Sequence, residues 1–273
     1  MKFLLFTKSL AQLSLSDLAG LGASLGVDGY DLCVREGHQV QPEDVQSTLP
    51  QAVDALGARS LVVGMVSLPP NLTDPDDPRT LAVCRAMRQS GVSLLKIGYF
   101  PFKPDKHDFA DLLHAAVLKL AKWRDLAQAH NLTVCYHTHA NYLGSSAGVL
   151  AHMLEDFDPA HVAAYLDPAQ LILQGEGFPV GMAILKNRVA AIGLKDVLIS
   201  RGASSNHGNM LPQWVQPGEG MVDWTAVSNA VVRSGYTGVI SAHVGMHQTT
   251  SNARDEIARE VSFYRSFFKE TPA

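Results

Sequence analysis

The chain has 273 residues, 47% of them hydrophobic and 18% charged, with a formal net charge of −4. That suffices for one large or two small units around a substantial core, and no stretch has a disordered composition. The mildly negative balance, without a Lys/Arg stripe interleaved with aromatics, argues against nucleic acid as the partner.

Met1–Leu5 is too short for the apolar region of a secretory leader. No apolar run approaches the ~20 residues that span a bilayer. The 3 cysteines, Cys33, Cys84 and Cys135, lie far apart among apolar neighbours, which suits reduced, buried thiols. The cytoplasm is the expected compartment.

Taken in order, Lys2–Phe6 is a first strand. The N-cap pattern at Ser14 opens a helix that Gly26 stops. Gly29–Val34 is a second strand, followed by the charged segment Arg35–His38 and a helix over Pro42–Leu56. Ser60–Val66 is a third strand and Arg79–Gln89 a helix. Ser93–Tyr99 is a fourth strand, and Asp108–His130 is the longest helix, with apolar positions close to a 3.6-residue period. Thr133–His137 is strand five and Ser145–Phe157 a helix. Val162–Leu166 is strand six, with a short helix in Gly175–Leu185. Val189–Leu194 is strand seven, followed by a long polar excursion over Ser200–Met221 and a helix over Asp223–Arg233. Gly238–Ala242 is strand eight, and Asn252–Phe268 is a closing helix. Strict alternation of strand and helix implies parallel strands with helices outside. Eight such units without a linker predict a single-domain (β/α)8 TIM barrel over 1–273. A doubly wound sheet is the rival, but no G-x-G-x-x-G turn supports it.

Strand five runs into Val134–Asn141, V-C-Y-H-T-H-A-N, which places His137 and His139 two apart at a strand end. Residues two apart on a strand share a face. Strand six runs into Asp167, strand seven into Lys195 and Asp196, strand eight into His243, and Asp31 sits near the end of strand two. In a TIM barrel such ends meet at one mouth, where catalysis takes place. His137, Asp167 and His243 would form a two-histidine, one-carboxylate set for a divalent Mn, Zn, Co or Fe ion. Such an ion could polarise a substrate carbonyl.

Asp167-Pro168, Leu194-Lys-Asp196, P-G-E-G-M-V-D-W at Pro217–Trp224 and G-Y-T-G-V-I-S at Gly235–Ser241 follow in order at fitting intervals. This set resembles the xylose isomerase-like TIM barrel superfamily of sugar isomerases and epimerases, most clearly over residues 130–245. The resemblance implies metal-assisted proton transfer beside a carbonyl of a sugar, polyol or keto-sugar. It also implies a small-molecule carbohydrate partner, and homo-oligomers occur in that superfamily. This chain departs from the pattern where a metal would be held. His137-Thr-His139 replaces a strand-five glutamate, and His243 replaces one on strand eight. Asp167-Pro-Ala-Gln170 stands for D-x-x-H, and Gly193-Leu-Lys-Asp196 for H-x-K-D. Two histidines then stand where the epimerases use two glutamates, and one nitrogen cannot both bind metal and move a proton.

The expected assignment is catalysis by His137, His243 and Lys195, with Arg35, His38, His139 and Asp31 contacting substrate. Each has a structural alternative: Asp167 as a turn former, His139 as an orienting group, Lys195-Asp196 as an ion pair, and the loop after strand two as a solvated segment. The Gly218-Glu-Gly220 turn lacks an adjacent basic residue and reads as structural, with Asp223 as a helix N-cap. A keto-sugar dehydratase or lyase on the same site is the alternative chemistry, and a non-catalytic carbohydrate-binding barrel the alternative class. A repair nuclease of the endonuclease IV type would need more metal ligands and basic loops than this chain carries.

Overall fold

A computed structural model describes residues 1–202, 209–246 and 253–268. Eight parallel strands close into a barrel in the order β1 (Lys2–Phe6), β2 (Gly29–Cys33), β3 (Val62–Ser67), β4 (Leu94–Lys96), β5 (Thr133–His137), β6 (Val162–Leu166), β7 (Val189–Leu194) and β10 (Val239–Ala242), which returns to β1. The expected (β/α)8 barrel is therefore present, and β1, β5, β6 and β7 have the bounds read from the sequence.

Most connecting helices begin where a short polar side chain takes up a free backbone N–H. Ser14 and Asp17 form a reciprocal capping box at α1 (Leu15–Leu25). Asp77 caps α3 (Pro78–Gln89), Asp108 caps α4 (Phe109–His130) and Ser146 caps α5 (Ala147–Leu154). Asp223 caps α8 (Trp224–Arg233), as the sequence predicts. The remaining helices are α2 (Val45–Gly57), α6 (Pro168–Ile172), α7 (Phe178–Leu185) and α9 (Ala253–Phe267). The predicted short helix in Gly175–Leu185 is α7, and an additional short helix, α6, precedes it because Asp167 caps it immediately after β6. None of the helices among the described residues is long and apolar enough to cross a membrane.

Side-chain parity divides each strand between two cores. Leu95, Val134, Tyr136, Ala164, Ile192 and Ile240 join the large cluster between sheet and helices. Leu4, Met65, Leu94, Cys135, Ala163, Tyr165, Ala191 and Val239 form a smaller one inside the barrel. The register places inward residues side by side in layers: Phe6 with Asp31, Ser67 with Lys96, His137 with Tyr165, and Ser241 with Gly193. The lower interior is apolar, and the layer nearest the C-terminal ends carries polar groups. That change of chemistry within single strands positions the site.

The predicted polar excursion after strand seven contains an antiparallel ribbon, β8 (Asp196–Arg201) paired with β9 (Met210–Val215). Pro212 hides the second strand from a sequence reading, and proline is tolerated there because the strand lies at an edge. Asp196 anchors the base of this ribbon and of the turn behind it. Its carboxylate accepts from the amides of Val197 (2.8 Å), Gly218 (2.9 Å) and Val222 (3.2 Å) and from Trp224 Nε1 (3.0 Å). A Cβ added at Gly220 would lie 2.1 Å from Asp196 Oδ1, which is why the turn needs glycine. The Gly218–Gly220 turn is therefore built around a carboxylate. Asp196→Ala leaves several buried donors unpaired and should cost about 3 kcal/mol in urea unfolding. Asp223→Ala, which removes an exposed cap, should cost about 1 kcal/mol. Similar losses for the two variants would refute the anchoring role.

Candidate functional site

A cavity of about 260 Å3 opens at the C-terminal end of the barrel. His137, His139, Lys195, His243 and Arg35, all singled out in the sequence, line it. Lys8, Lys96, Tyr99, Tyr165 and Trp214 line it too, and the sequence reading passed over them. Lys96 carried a usable signal, a lone lysine near the end of an apolar strand. Tyr165 carried none, being one more large residue in V-A-A-Y-L.

Asp167 lies just beneath this lining, fully buried, and joins the site's parts. Its Oδ1 accepts from the Gln170 amide (3.1 Å) and starts α6, while Oδ2 takes Lys195 Nζ (3.1 Å) and His137 Nε2 (3.2 Å). The turn-forming and site-building readings are both satisfied, one oxygen each. Burial works to raise its pKa, but Lys195, followed by His137, outweighs that and holds the carboxyl well below its usual range. Lys195 does not pair with its neighbour Asp196. Consecutive residues diverge, so the lysine enters the barrel mouth while Asp196 turns to the ribbon. Trp214 of β9 covers Lys195, with Nζ 4.4 Å from the ring centroid.

His137 donates from Nε2 to Asp167, so Nδ1 accepts from the Tyr99 hydroxyl at 2.9 Å. Burial pulls its pKa down to about 3, against the opposing pull of Asp167. His139 donates from Nδ1 to the Ala140 carbonyl (2.9 Å), which leaves the lone pair on Nε2. Burial, and then Lys195, lower its pKa to about 4. His243 Nε2 shares a 2.8 Å hydrogen bond with the Tyr165 hydroxyl, and burial holds this imidazole neutral as well. All three are bases without a proton to lose near neutral pH.

Two expected substrate contacts are corrected. Asp31 is sealed beneath the cavity, where Ser67 and Ser241 hydroxyls each donate to it at 2.8 Å. Burial raises its pKa against those two donors. It supports the floor and does not line the cavity. His38 also lies outside the lining, with Nδ1 3.3 Å from the Glu36 carbonyl.

The expected metal set of His137, Asp167 and His243 is corrected too. Both nitrogens of His137 and both oxygens of Asp167 are committed within the protein, and His243 Nε2 is held by Tyr165. The His137 and His243 rings lie 6.1 Å apart at 77° and do not converge. On strand seven, a Cβ added at Gly193 would lie 2.9 Å from the Tyr165 ring and 3.3 Å from His243 Nε2. The tyrosine–histidine pair thus fills the space into which a ligand at that position would extend. Among the described residues no group of His, Cys, Asp and Glu is arranged to hold a metal ion. The residues present do not fit one; the Lys195 ammonium occupies the carboxylate oxygen that a cation would share.

The neutral histidines fix a pH dependence. A folded pKa below the unfolded value near 6.5 means that the unfolded chain binds more protons as pH falls, so stability is lost downward from that value. His137 and His243 should each destabilise the fold between pH 7.5 and 5.5, together by a few kcal/mol at most and on the order of 1 kcal/mol each. Urea unfolding at both values should show this loss, and His243→Gln should make it shallower. An unchanged slope in that variant would mean that the imidazole is not held neutral.

The match to known proteins agrees with this architecture. The family described as xylose isomerase-like TIM barrel matches residues 20–267. Among curated proteins no sequence match is found. Solved structures similar in fold include a D-psicose 3-epimerase studied with D-fructose, at 12% identity and TM-score 0.74, with 99% of this chain and 100% of that one covered. A 3-keto-D-glucoside 4-epimerase from E. coli has 12% identity and TM-score 0.75, with 97% and 99% covered. A probable 3-DHS dehydratase from Bacillus anthracis has 17% identity and TM-score 0.70, with 96% and 98% covered. At these identities the likeness is one of fold.

Proposed function

The chain belongs to the xylose isomerase-like TIM barrel family, and on that premise we propose that it is an enzyme moving a proton beside the carbonyl of a small sugar or sugar-derived keto compound. The observation that carries this reading is Lys195, a buried ammonium fixed by Asp167 in a cavity whose imidazoles are neutral.

The cationic Nζ of Lys195 would receive the substrate carbonyl oxygen. Removing a proton from the adjacent carbon places negative charge on that oxygen, and a prepositioned ammonium in a dry cavity stabilises that charge. In this reading Lys195 supplies the electrophile expected of a metal. His139, with its lone pair on Nε2, is the base best disposed to take the proton, and the imidazolium formed there is the acid that returns it. The neutral His243–Tyr165 pair lines the cavity beside it. His137 is a positioning residue, because Asp167 and Tyr99 occupy both its nitrogens. Return of the proton to a different carbon or face gives isomerase or epimerase chemistry. The epimerases among the structural neighbours support that class.

The test is incubation of the protein with a ketose and keto-acid panel in D2O, followed by proton NMR. At least one compound should lose a proton signal beside its carbonyl, and a new isomer should identify the product. Lys195→Met should slow this exchange at least 100-fold, corresponding to about 2.7 kcal/mol of lost stabilisation. His139→Asn should slow it less, about 10- to 100-fold. No exchange with any compound, or full exchange in Lys195→Met, would overturn the reading.

A further inference from the structure

The cavity wall is segregated by charge in a way that the proton-transfer reading does not use. Around the barrel, β1, β2, β3 and β4 are consecutive, and β5, β6, β7 and β10 complete the circle. The histidines, Tyr165 and Lys195 all belong to the second arc. The first contributes Lys8 after β1, Arg35 after β2 and Lys96 at the end of β4. Among the described residues, no carboxylate lines the cavity on either arc. Asp167 is taken up by Lys195, and Asp31 lies beneath the floor under two serine hydroxyls.

Two of the first-arc cations have unmet hydrogen-bonding capacity. Lys96 is 2% exposed and lines the cavity, yet its Nζ has no hydrogen-bond partner among the described residues. Its nearest compensation is the Tyr99 ring, 3.9 Å from Nζ to centroid. Among the described residues, Arg35 has a buried Nε without a hydrogen-bond partner, and its Nη2 reaches the Leu68 carbonyl at 3.4 Å. A buried donor left unpaired costs free energy, more so on a charged group. A cavity wall carrying two such donors is complementary to an anion.

We propose that the substrate carries an anionic group, a carboxylate or a phosphate, which Lys96 and Arg35 bind on the β1–β4 arc while the carbonyl faces Lys195. This rests on the same cavity being the reaction site, and it narrows the substrate class from sugars in general to acidic sugar derivatives. Lys8, exposed at the rim, adds positive potential along the entry path. Burial, and then the Arg35 charge, pull the Lys96 pKa down to about 7 against the opposing pull of Asp31 beneath the floor, so an anion in the cavity would strengthen the cation.

Calorimetric titration tests this without relying on turnover. The probes are a neutral ketohexose, its 6-phosphate, a hexulosonate and inorganic phosphate, all at one ionic strength. The phosphorylated or the carboxylated sugar should bind at least 10-fold more tightly than the neutral one. Inorganic phosphate should compete with whichever is preferred. Lys96→Met and Arg35→Met should each bring the anionic-to-neutral affinity ratio close to one. Lys96→Met removes a buried ammonium that makes no hydrogen bond among the described residues and should leave the melting temperature nearly unchanged, so loss of the preference cannot be ascribed to unfolding. Equal binding of neutral and anionic sugars by the native protein would overturn the proposal, as would a preference surviving both substitutions. D2O exchange with the compounds that bind then tests the proton-transfer reading separately, because a neutral ketose could exchange where the anion site fails.

Discussion

The site depends on one buried carboxylate. Asp167 is excluded from water, a state expensive for a charge unless it is paired and hydrogen-bonded. It meets that requirement in three directions at once: a backbone amide of α6, an imidazole of β5 and the ammonium that ends β7. Removing it would uncap a helix, release the Nε2–H of His137 and leave Lys195 as an isolated cation. A single residue thereby fixes the relative placement of three neighbouring strand ends.

The same economy explains how this chain departs from the ligand pattern of its family without leaving holes. Where that pattern has a strand-seven histidine, Gly193 gives up its volume to Tyr165 and His243. The imidazole and hydroxyl then satisfy each other at 2.8 Å. The Lys195 side chain is held in place at the cavity by Asp167 and the Trp214 ring. Gly193 and Tyr165 make sense only together, since glycine makes the room that tyrosine fills, while Lys195 and Asp196 keep the places they have in H-x-K-D.

A cavity-lining ammonium and a structural carboxylate after β7 are separated by the pleat alone. Lys195 and Asp196 are adjacent in sequence, but one faces the barrel axis and the other a loop. Asp196 organises the turn behind the β8–β9 ribbon, and that ribbon returns Trp214 to cover Lys195. The ring that covers Lys195 and Lys195 itself are thus tied through consecutive residues.

The sequence by itself determined the barrel, because strand–helix alternation, caps and glycine stops are local and repeat along the chain. It also determined that residues 137, 139, 167, 195 and 243 would share a mouth, since parity and strand ends suffice for that. Which of their atoms remain free was decided only by the tertiary structure. His137, Asp167 and His243 read as a metal set in sequence, but their partners, Tyr99, Tyr165 and Lys195, come from distant strands. Lys96 and Lys8 escaped notice because a lone lysine has no motif; its meaning comes from the neighbours that the fold sets around it. Asp31 and His38 were misplaced for the converse reason, because a strand-end position does not reveal whether a side chain is sealed below the floor or left outside the wall. Local patterns fix which face a residue occupies, whereas charge balance and hydrogen-bond commitment belong to neighbours that only folding supplies.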